Sequence, residues 1–191
     1  MHVLEAIYQR RSVRAFASEA LCDDELRRLL DAAVQAPNAV NRQPWRFTVV
    51  RDRALLRHIS DRSKAHVLEN AREFLGMHGF EKMLGNPAFD IFYGAPALVV
   101  ISATDSSDWS AIDCTLAAQT LMLAAAGEGL GSCWIGFAQA WLQTKEGKEV
   151  LRLAEEARPV APIILGHPAA PVAPVPRNPP VIHWMGGEVL S

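Results

Sequence analysis

Arg10-Arg11-Ser12-Val13-Arg14 places three guanidinium groups and one hydroxyl group within five residues. The stretch follows a short amphipathic segment in which Val3, Leu4 and Ile7 share one helical face, so residues 2–10 are predicted to form a helix that ends at the arginines. Arginine offers a planar fork of donors that matches pairs of phosphate oxygens. The stretch therefore indicates either a phosphate-binding site or a solvated basic helix end that complements the helix dipole.

The bulk composition is typical of a soluble globular protein. With 191 residues, half of them apolar, the chain suits a single domain with a real core. The formal net charge of −2 gives no general attraction to nucleic acid or to an anionic membrane. The longest apolar run, Leu121 to Ala126, is too short to cross a bilayer, and the N-terminus lacks the pattern of a signal peptide. We therefore expect no nucleic-acid or membrane partner, and the three widely spaced cysteines favour a reducing cytoplasm.

The cysteines and histidines do not predict a metal site. Cys22, Cys114 and Cys133 are far apart and form no CxxC or Cys/His spacing, which argues against zinc and against a disulfide framework. The six histidines lack i, i+4 pairing. Cys133 is interpreted as a packing residue rather than a nucleophile. Asp113 and Gln119, on an apolar segment, are interpreted as hydrogen-bonded interface residues rather than catalysts.

Hydrophobic periodicity and turn signals predict a chain of helices and strands. Further helices are predicted from Cys22 or Asp23 towards Pro37 and over 54–60, 109–126 and 138–156. Strands are predicted over 46–51, 97–101, 132–135 and 159–165. The helix over 109–126 is apolar on most sides, which favours burial of one face by a second subunit.

Two segments are less regular. Residues 61–86 are polar with weak periodicity, and we interpret them as a helix with a mobile end, so that residues 61–90 form a candidate lid over a pocket. Residues 168–191 hold six of the twelve prolines and yet end in the apolar residues Val181, Ile182, Trp184 and Met185. Because such a segment runs extended, it is interpreted as an arm onto a partner subunit, with a floppy tail as the alternative.

Two further stretches have the composition of site-forming loops. Residues 36–45, Ala-Pro-Asn-Ala-Val-Asn-Arg-Gln-Pro-Trp, combine small residues with amide side chains between a helix and a strand; an ordinary turn is the alternative. Residues 129–136, Gly-Leu-Gly-Ser-Cys-Trp-Ile-Gly, follow a helix and enter a strand, which reverses the dinucleotide-binding order. Their glycines are therefore predicted to let backbone lie against a flat ligand.

In this order and spacing, the three stretches resemble the nitroreductase family of FMN-dependent oxidoreductases. Gly94-Ala95-Pro96 and Leu165-Gly166 extend the resemblance over nearly the whole chain. The resemblance implies an α+β fold in one domain over residues 1–191, with a central mixed, mostly antiparallel sheet flanked by helices. It also implies an intertwined homodimer with two FMN sites at the subunit interface.

The resemblance assigns the phosphate end of the cofactor to the arginines. Arg10, Arg11 and Ser12 would hold the FMN phosphate and ribityl chain. Arg14 would face the pyrimidine end of the flavin, where a cation stabilises the negative charge that develops near N1 on reduction. Arg177 matches a late basic residue of the family that closes on the phosphate.

The flavin rings would be enclosed by the other two stretches. Trp134, Ile135 and Gly136 would line the rings, with a backbone amide near N5, the hydride-accepting atom. The residues expected to reach the flavin bound mainly by the other subunit are Pro37, Asn38, Ala39 and Asn41. Asn38 stands where many members have serine, so that hydroxyl contact is absent or replaced by an amide, and Val40 makes the substrate-facing side of this loop apolar.

The resemblance implies hydride transfer in a ping-pong cycle. NADH or NADPH would donate electrons to FMN and leave, and a small acceptor such as a nitroaromatic or a quinone would then take its place. The flavin would carry the redox chemistry, so no side chain is expected to act as a general acid or base. The alternatives are a related flavoenzyme that dehalogenates its substrate or breaks down flavin, a non-catalytic FMN-binding protein, and a structural dimer with a vestigial site.

Overall fold

The computed structural model describes residues 2–70 and 79–186. The helices are α1 (Val3–Gln9), α2 (Asp23–Ala33), α3 (Arg53–Glu69), α4 (Glu81–Leu84), α5 (Asp108–Gly127), α6 (Gly136–Leu142) and α7 (Lys145–Val150). The strands are β1 (Trp45–Val50), β2 (Ala97–Ala103), β3 (Gly131–Trp134) and β4 (Arg158–Gly166). The predicted strands and the predicted helices over 2–10 and 109–126 therefore form within one or two residues of the expected bounds.

The four strands form one sheet in the order β1-β2-β4-β3, in which each pair of neighbours is antiparallel. A single-residue parallel bridge joins Ser12 to Ser132 beyond the edge strand β3. The expected α+β fold with a mostly antiparallel sheet flanked by helices is confirmed. The order places β1 and β3 at opposite edges, three strand spacings or about 14 Å apart.

The central strand β2 is buried along its whole length because helices cover both faces of the sheet. Val99 and Ile101 point into a core shared with α2 and α5. Leu98 and Val100 point into a second core shared with α3 and α6. This alternation follows from the two-residue period of a strand, and it explains why the sequence of β2 is apolar without interruption.

Side-chain caps fix where α2 and α3 begin. Cys22 is the N-cap of α2: its Sγ accepts from the Glu25 amide at 3.4 Å, and the Glu25 carboxylate accepts from the Cys22 amide at 2.7 Å. This capping box identifies Cys22, and not Asp23, as the N-cap of α2. Asp52 caps α3 through the Leu55 amide at 2.7 Å. Helix α3 then runs to Glu69, so the helix predicted over 54–60 and the first part of the helix predicted over 61–86 form one continuous helix, with Ile59 and Val67 buried.

The helix predicted over 138–156 is wrong: two short helices occupy its first part. Helix α6 ends at Leu142, and the Thr144 hydroxyl donates to the Trp141 carbonyl at 2.7 Å and accepts from the Gly147 amide at 3.1 Å, which starts α7. A Cβ atom at Gly147 would lie 2.3 Å from the Trp141 carbonyl oxygen, so only glycine permits this close return of the chain. Local hydrogen bonding by a threonine thus overrides a continuous helical pattern.

The two irregular segments have different outcomes. The candidate lid begins as the second half of α3 and ends in α4 and the loop that follows it. Its central part, residues 71–78, lies outside the described residues, so the lid stays a prediction.

Described residues 169–186 form no helix or strand and are exposed, as expected for an extended segment. No helix in the described ranges combines the length and hydropathy required to cross a bilayer.

Candidate functional site

The arginine stretch, residues 10–14, lies along the outer edge of β3. The Val13 amide donates to the Ser132 carbonyl at 3.0 Å, and Ser12 and Ser132 form the parallel bridge. A Cβ atom at Gly131 would lie 2.9 Å from the Val13 Cβ atom, a distance that real Cβ atoms do not tolerate. Gly131 is therefore needed for the close approach of the two stretches that the sequence singled out.

The three guanidinium groups of this stretch lack carboxylate partners among residues 2–70 and 79–186. Arg10 and Arg11 are half-buried, and Arg14 is exposed. Nη1 of Arg11 donates to the Tyr8 and Arg10 carbonyls at 2.6 and 2.8 Å, whereas its buried Nε has no partner in the described structure. A buried donor without an acceptor costs about 1–3 kcal/mol, so Arg11 is suited to receive an anion.

A cavity of about 500 Å³ opens beside Arg10 and Arg11. Its other walls come from the end of α5, the entry to β3 and residues 168–172 after β4. The 168–172 wall is held to the arginine stretch, because the Ala169 amide donates to the Ala15 carbonyl at 3.0 Å and the Ala17 amide donates to the His167 carbonyl at 2.9 Å. The volume suits a small-molecule cofactor.

The Cys133 thiol lies within reach of the same cations but is not an activated nucleophile. Burial raises the pKa of Cys133, although the Arg14 guanidinium, the Ser12 hydroxyl and the Arg10 guanidinium act in the opposite direction. Burial also raises the pKa of Cys114 to about 12. Both thiols are therefore neutral packing groups at physiological pH, in agreement with the interpretation of Cys133 from the sequence.

The stretch over 36–45 forms a strained surface loop rather than an ordinary turn. Val40, Asn41 and Gln43 have φ values of +47°, +55° and +50°, a region that non-glycine residues rarely adopt. The Asn38 side-chain oxygen accepts from the Gln43 amide at 2.8 Å, and Val40 is 90% exposed. Backbone strain of about 1–3 kcal/mol per residue is typical of ligand-binding segments.

Buried Asp113 on α5 anchors this loop. Its Oδ1 accepts from the Ala39 amide at 3.1 Å, so Asp113 is hydrogen-bonded, as predicted, and it positions this loop within its own chain. Its predicted place at an interface stays a prediction. Pro37 is exposed at the start of the loop. The loop enters β1, whereas the arginine stretch adjoins β3 at the opposite edge of the sheet. Within one subunit, the structure therefore does not bring these two stretches together.

The glycine stretch, residues 129–136, turns from β3 into α6. Ile135 is buried, and its amide donates to the Pro162 carbonyl at 2.8 Å, which commits that donor to the sheet. Trp134 is half-buried at the end of β3. Gly136 is exposed, and its amide lies in the first turn of α6, where helix amides have no intrahelical acceptor. Gly136 is therefore the residue of the three best placed to donate to a ligand.

The described hydrogen bonds of Arg177 are made within its own segment. Its Nη1 donates to the Pro176 and Val175 carbonyls of its own segment at 3.1 and 3.4 Å. The expected closure of Arg177 on a phosphate stays a prediction.

One residue at the site was missed by sequence reasoning. The Tyr93 ring lies under the Arg14 guanidinium, with 5.9 Å between Arg14 Cζ and the ring centroid. The sequence signal for Tyr93 is weak: Tyr93 directly precedes the Gly94-Ala95-Pro96 motif, but nothing in the local sequence relates it to Arg14. No cluster of three metal-ligating side chains occurs in the part of the chain that the structure describes.

Comparison with known proteins identifies the family. The family model described as "Nitroreductase family" matches residues 7–167, which include the arginine stretch, the strained loop and the glycine stretch. The chain belongs to the nitroreductase family. A protein of Archaeoglobus fulgidus with the provisional name NADH dehydrogenase/NAD(P)H nitroreductase is 31% identical over 170 residues, which is 86% of this chain and 84% of that protein.

Two further relatives show how the nitroreductase family varies in activity. The crystal structure of a nitroreductase with bound FMN from Bacteroides fragilis has a TM-score of 0.83 and 26% identity, and the match covers 97% of this chain and 100% of that one. An iodotyrosine deiodinase of Thermotoga neapolitana is 28% identical over 92% of this chain and 94% of that protein. Membership of the family therefore does not by itself identify the electron acceptor.

Proposed function

We propose that this protein is an FMN-dependent oxidoreductase that uses NADH or NADPH to reduce nitroaromatic, quinone or similar small acceptors. The class, an NAD(P)H-dependent flavin oxidoreductase, follows from membership of the nitroreductase family. The observation that carries the proposal is a cavity of about 500 Å³ lined by Arg10 and Arg11, two guanidiniums without described carboxylate partners.

The site fits the anionic end of FMN on structural grounds. The Nε of Arg11 is a buried donor without a described acceptor, and a phosphate oxygen would supply one. Arg10 lies in the same cavity wall, and Arg14 and Ser12 continue the row along β3. Each charge-assisted hydrogen bond to phosphate contributes about 1.5–3 kcal/mol.

When bound, the flavin supplies the redox chemistry by accepting hydride from the nicotinamide and passing electrons to the acceptor. The residues of this chain would position it. Arg10, Arg11 and Ser12 would hold the phosphate and ribityl chain, and Arg14 would place positive charge at the pyrimidine end. The Gly136 amide would donate near N5, since the Ile135 amide is committed to the sheet.

The site would be completed by a second subunit. Because the strained loop and the arginine stretch lie at opposite edges of the sheet, Pro37, Asn38, Ala39 and Asn41 would reach the cofactor held by the partner's arginines. The backbone strain in this loop would then serve a contact with the partner's cofactor, which the loop cannot make within its own subunit.

Exposed apolar side chains support the homodimer. Helix α1 packs against α5, and both helices leave large apolar side chains exposed. These are Val3, Leu4, Ile7 and Tyr8 on α1 and Trp109, Ile112 and Leu116 on α5. Exposed apolar patches of this kind mark association surfaces. The segment 168–186 adds Val181, Trp184 and Met185, which are also exposed, as expected for an arm that embraces the partner.

Replacing Gly136 with alanine, valine and then leucine is expected to weaken FMN binding progressively while the apoprotein stays stable. A Cβ atom at Gly136 meets no protein atom within 4 Å, and its φ is not in the left-handed region, so the chain itself has room for a side chain. The flavin ring proposed to lie there does not leave that room. Isothermal titration with FMN measures the affinity, and thermal unfolding of the apoprotein is the control. Equal affinity for the leucine variant and the wild type would exclude Gly136 from the ring site.

An anaerobic absorption titration with NADH and, separately, with NADPH tests the function. We expect one nicotinamide to bleach the visible flavin band stoichiometrically, and a nitroaromatic or quinone to restore it after the nicotinamide is removed. Failure of both nicotinamides to bleach the flavin would make the protein a non-catalytic FMN binder. A colourless protein that binds no added FMN would make it a structural dimer.

A second candidate is reductive dehalogenation. The match to the Thermotoga neapolitana deiodinase covers 94% of that protein, so this chain carries the same overall architecture. In the same titration, a halogenated phenol that reoxidises the reduced protein with release of halide would favour this candidate. Reoxidation by nitroaromatics or quinones, and not by the halogenated phenol, favours the first.

A further inference from the structure

Arg14 is the exposed guanidinium of the arginine stretch, residues 10–14, and in the described part of the structure it makes no side-chain hydrogen bond or ion pair. The group that it lies against is the ring of Tyr93, at 5.9 Å from Cζ to the ring centroid. A planar guanidinium over an aromatic face is a cation–π contact.

Tyr93 is held in an unusual backbone conformation. Its φ is +55°, and that of the next residue, Gly94, is +69°. Both carboxylate oxygens of Asp90 stabilise this turn, because Oδ1 accepts from the Phe92 amide and Oδ2 from the Gly94 amide, each at 2.9 Å. A bulky residue with positive φ persists only where its surroundings enforce it, so the turn fixes the direction of the Tyr93 side chain.

Helix α3 ties the same loop to the body of the protein. The Lys64 ammonium, whose side chain is 6% exposed, donates to the Phe89 carbonyl at 2.6 Å and pairs with Asp61 at 3.0 Å. The buried Ser60 hydroxyl accepts from the Ile91 amide at 3.1 Å. The Phe89 ring packs edge-on to the Tyr93 ring, with 5.7 Å between centroids and 81° between planes. The ring of Tyr93 is therefore supported on one side by Phe89 and meets Arg14 on another.

We propose that Tyr93 is a positioning residue that holds the Arg14 guanidinium at the pyrimidine end of the flavin. The inference rests on the proposed function, which assigns Arg14 to that end of the cofactor. A free arginine loses considerable side-chain freedom when it is ordered against a ligand. Tyr93 orders Arg14 before the cofactor arrives, which lowers the entropic cost of binding, and it keeps the positive charge where negative charge develops on reduction.

The expected effects are modest and specific. Replacing Tyr93 with leucine should weaken FMN binding about two- to five-fold, the range of an exposed cation–π contact. It should also lower the midpoint potential of the bound flavin, because the cation that favours the reduced form is less well placed. Replacing Tyr93 with phenylalanine keeps the ring and should restore both quantities to nearly the wild-type values.

The experiment measures FMN affinity and midpoint potential for the wild type, Tyr93→Phe, Tyr93→Leu and the same leucine change in an Arg14→Met background. The leucine effect should vanish in that background, since the cation is absent. A second series that replaces Tyr93 with phenylalanine carrying none, one or three ring fluorines keeps the size of the side chain and withdraws charge from the ring face. Affinity should fall in that order.

Three results would overturn the inference: equal affinity for Tyr93→Leu and Tyr93→Phe, no dependence on fluorination, or a leucine effect of the same size without Arg14. The fluorinated series tests the contact even where Tyr93→Leu does not fold. A wild-type protein that binds no FMN would instead contradict the proposed function, so the two failures are distinguishable.

Discussion

Arg10→Ala is expected to weaken FMN binding by about one to two orders of magnitude, so that the purified protein loses its yellow colour on gel filtration. Arg10 is half-buried in the wall of the cavity and has no described carboxylate partner. Its contact with phosphate would contribute about 1.5–3 kcal/mol, and each 1.4 kcal/mol is a tenfold change in affinity. Titration of apoprotein with FMN measures the loss.

Riboflavin provides a sharp control, because it has the same rings and no phosphate. If Arg10 holds the phosphate, Arg10→Ala should reduce FMN affinity and leave riboflavin affinity unchanged. Arg10→Lys keeps the charge but loses the two-pronged donor geometry, so its FMN affinity should be intermediate. Arg27→Ala removes an exposed arginine of α2 that does not line the cavity, and it should have no effect. Unchanged colour and turnover in Arg10→Ala would show that the phosphate lies elsewhere.

The fold was predictable where local patterns and tertiary packing agree. Leu26, Leu29 and Ala33 repeat with the helical period and face the core in α2, and the apolar run of β2 is buried on both faces. The pattern over 138–156 failed because Thr144 and Gly147 redirect the chain through hydrogen bonding and a close contact, neither of which changes hydrophobic periodicity.

The site was predictable as a set of motifs but not as a geometry. Family resemblance related the arginine stretch to the glycine stretch, and Gly131 packed on Val13 gives the physical reason for that pairing. The Asp113–Ala39 hydrogen bond and the Arg14–Tyr93 contact join residues more than seventy positions apart. Such pairs depend on the path of the whole chain, which local sequence patterns do not encode.

The second large effect concerns the division of the site between two subunits. Two variants each remove one half: Arg10→Ala removes the phosphate contact, and Asn41→Glu places a carboxylate on the exposed strained loop, where burying it against the cofactor is costly. We expect each homodimer to lose FMN. Mixed dimers of the two variants, isolated with two affinity tags, combine one intact arginine stretch with one intact loop, which belong to different chains.

In a matched control dimer, one chain carries both Arg10→Ala and Asn41→Glu, and the other chain is wild type. If each site takes its arginines from one subunit and its loop from the other, the first mixed dimer has one intact site and the control has none. If each subunit builds its own site, the outcome is reversed. The two dimers contain the same substitutions in the same number, so general destabilisation affects both equally.

The FMN content of these mixed dimers is the most direct test of the central claim, that guanidiniums of one subunit and the strained loop of its partner enclose one flavin. Absorbance of released flavin per dimer gives the stoichiometry. We predict one FMN in the dimer of Arg10→Ala with Asn41→Glu and none in the control. No FMN in the first dimer and one in the control would contradict the claim.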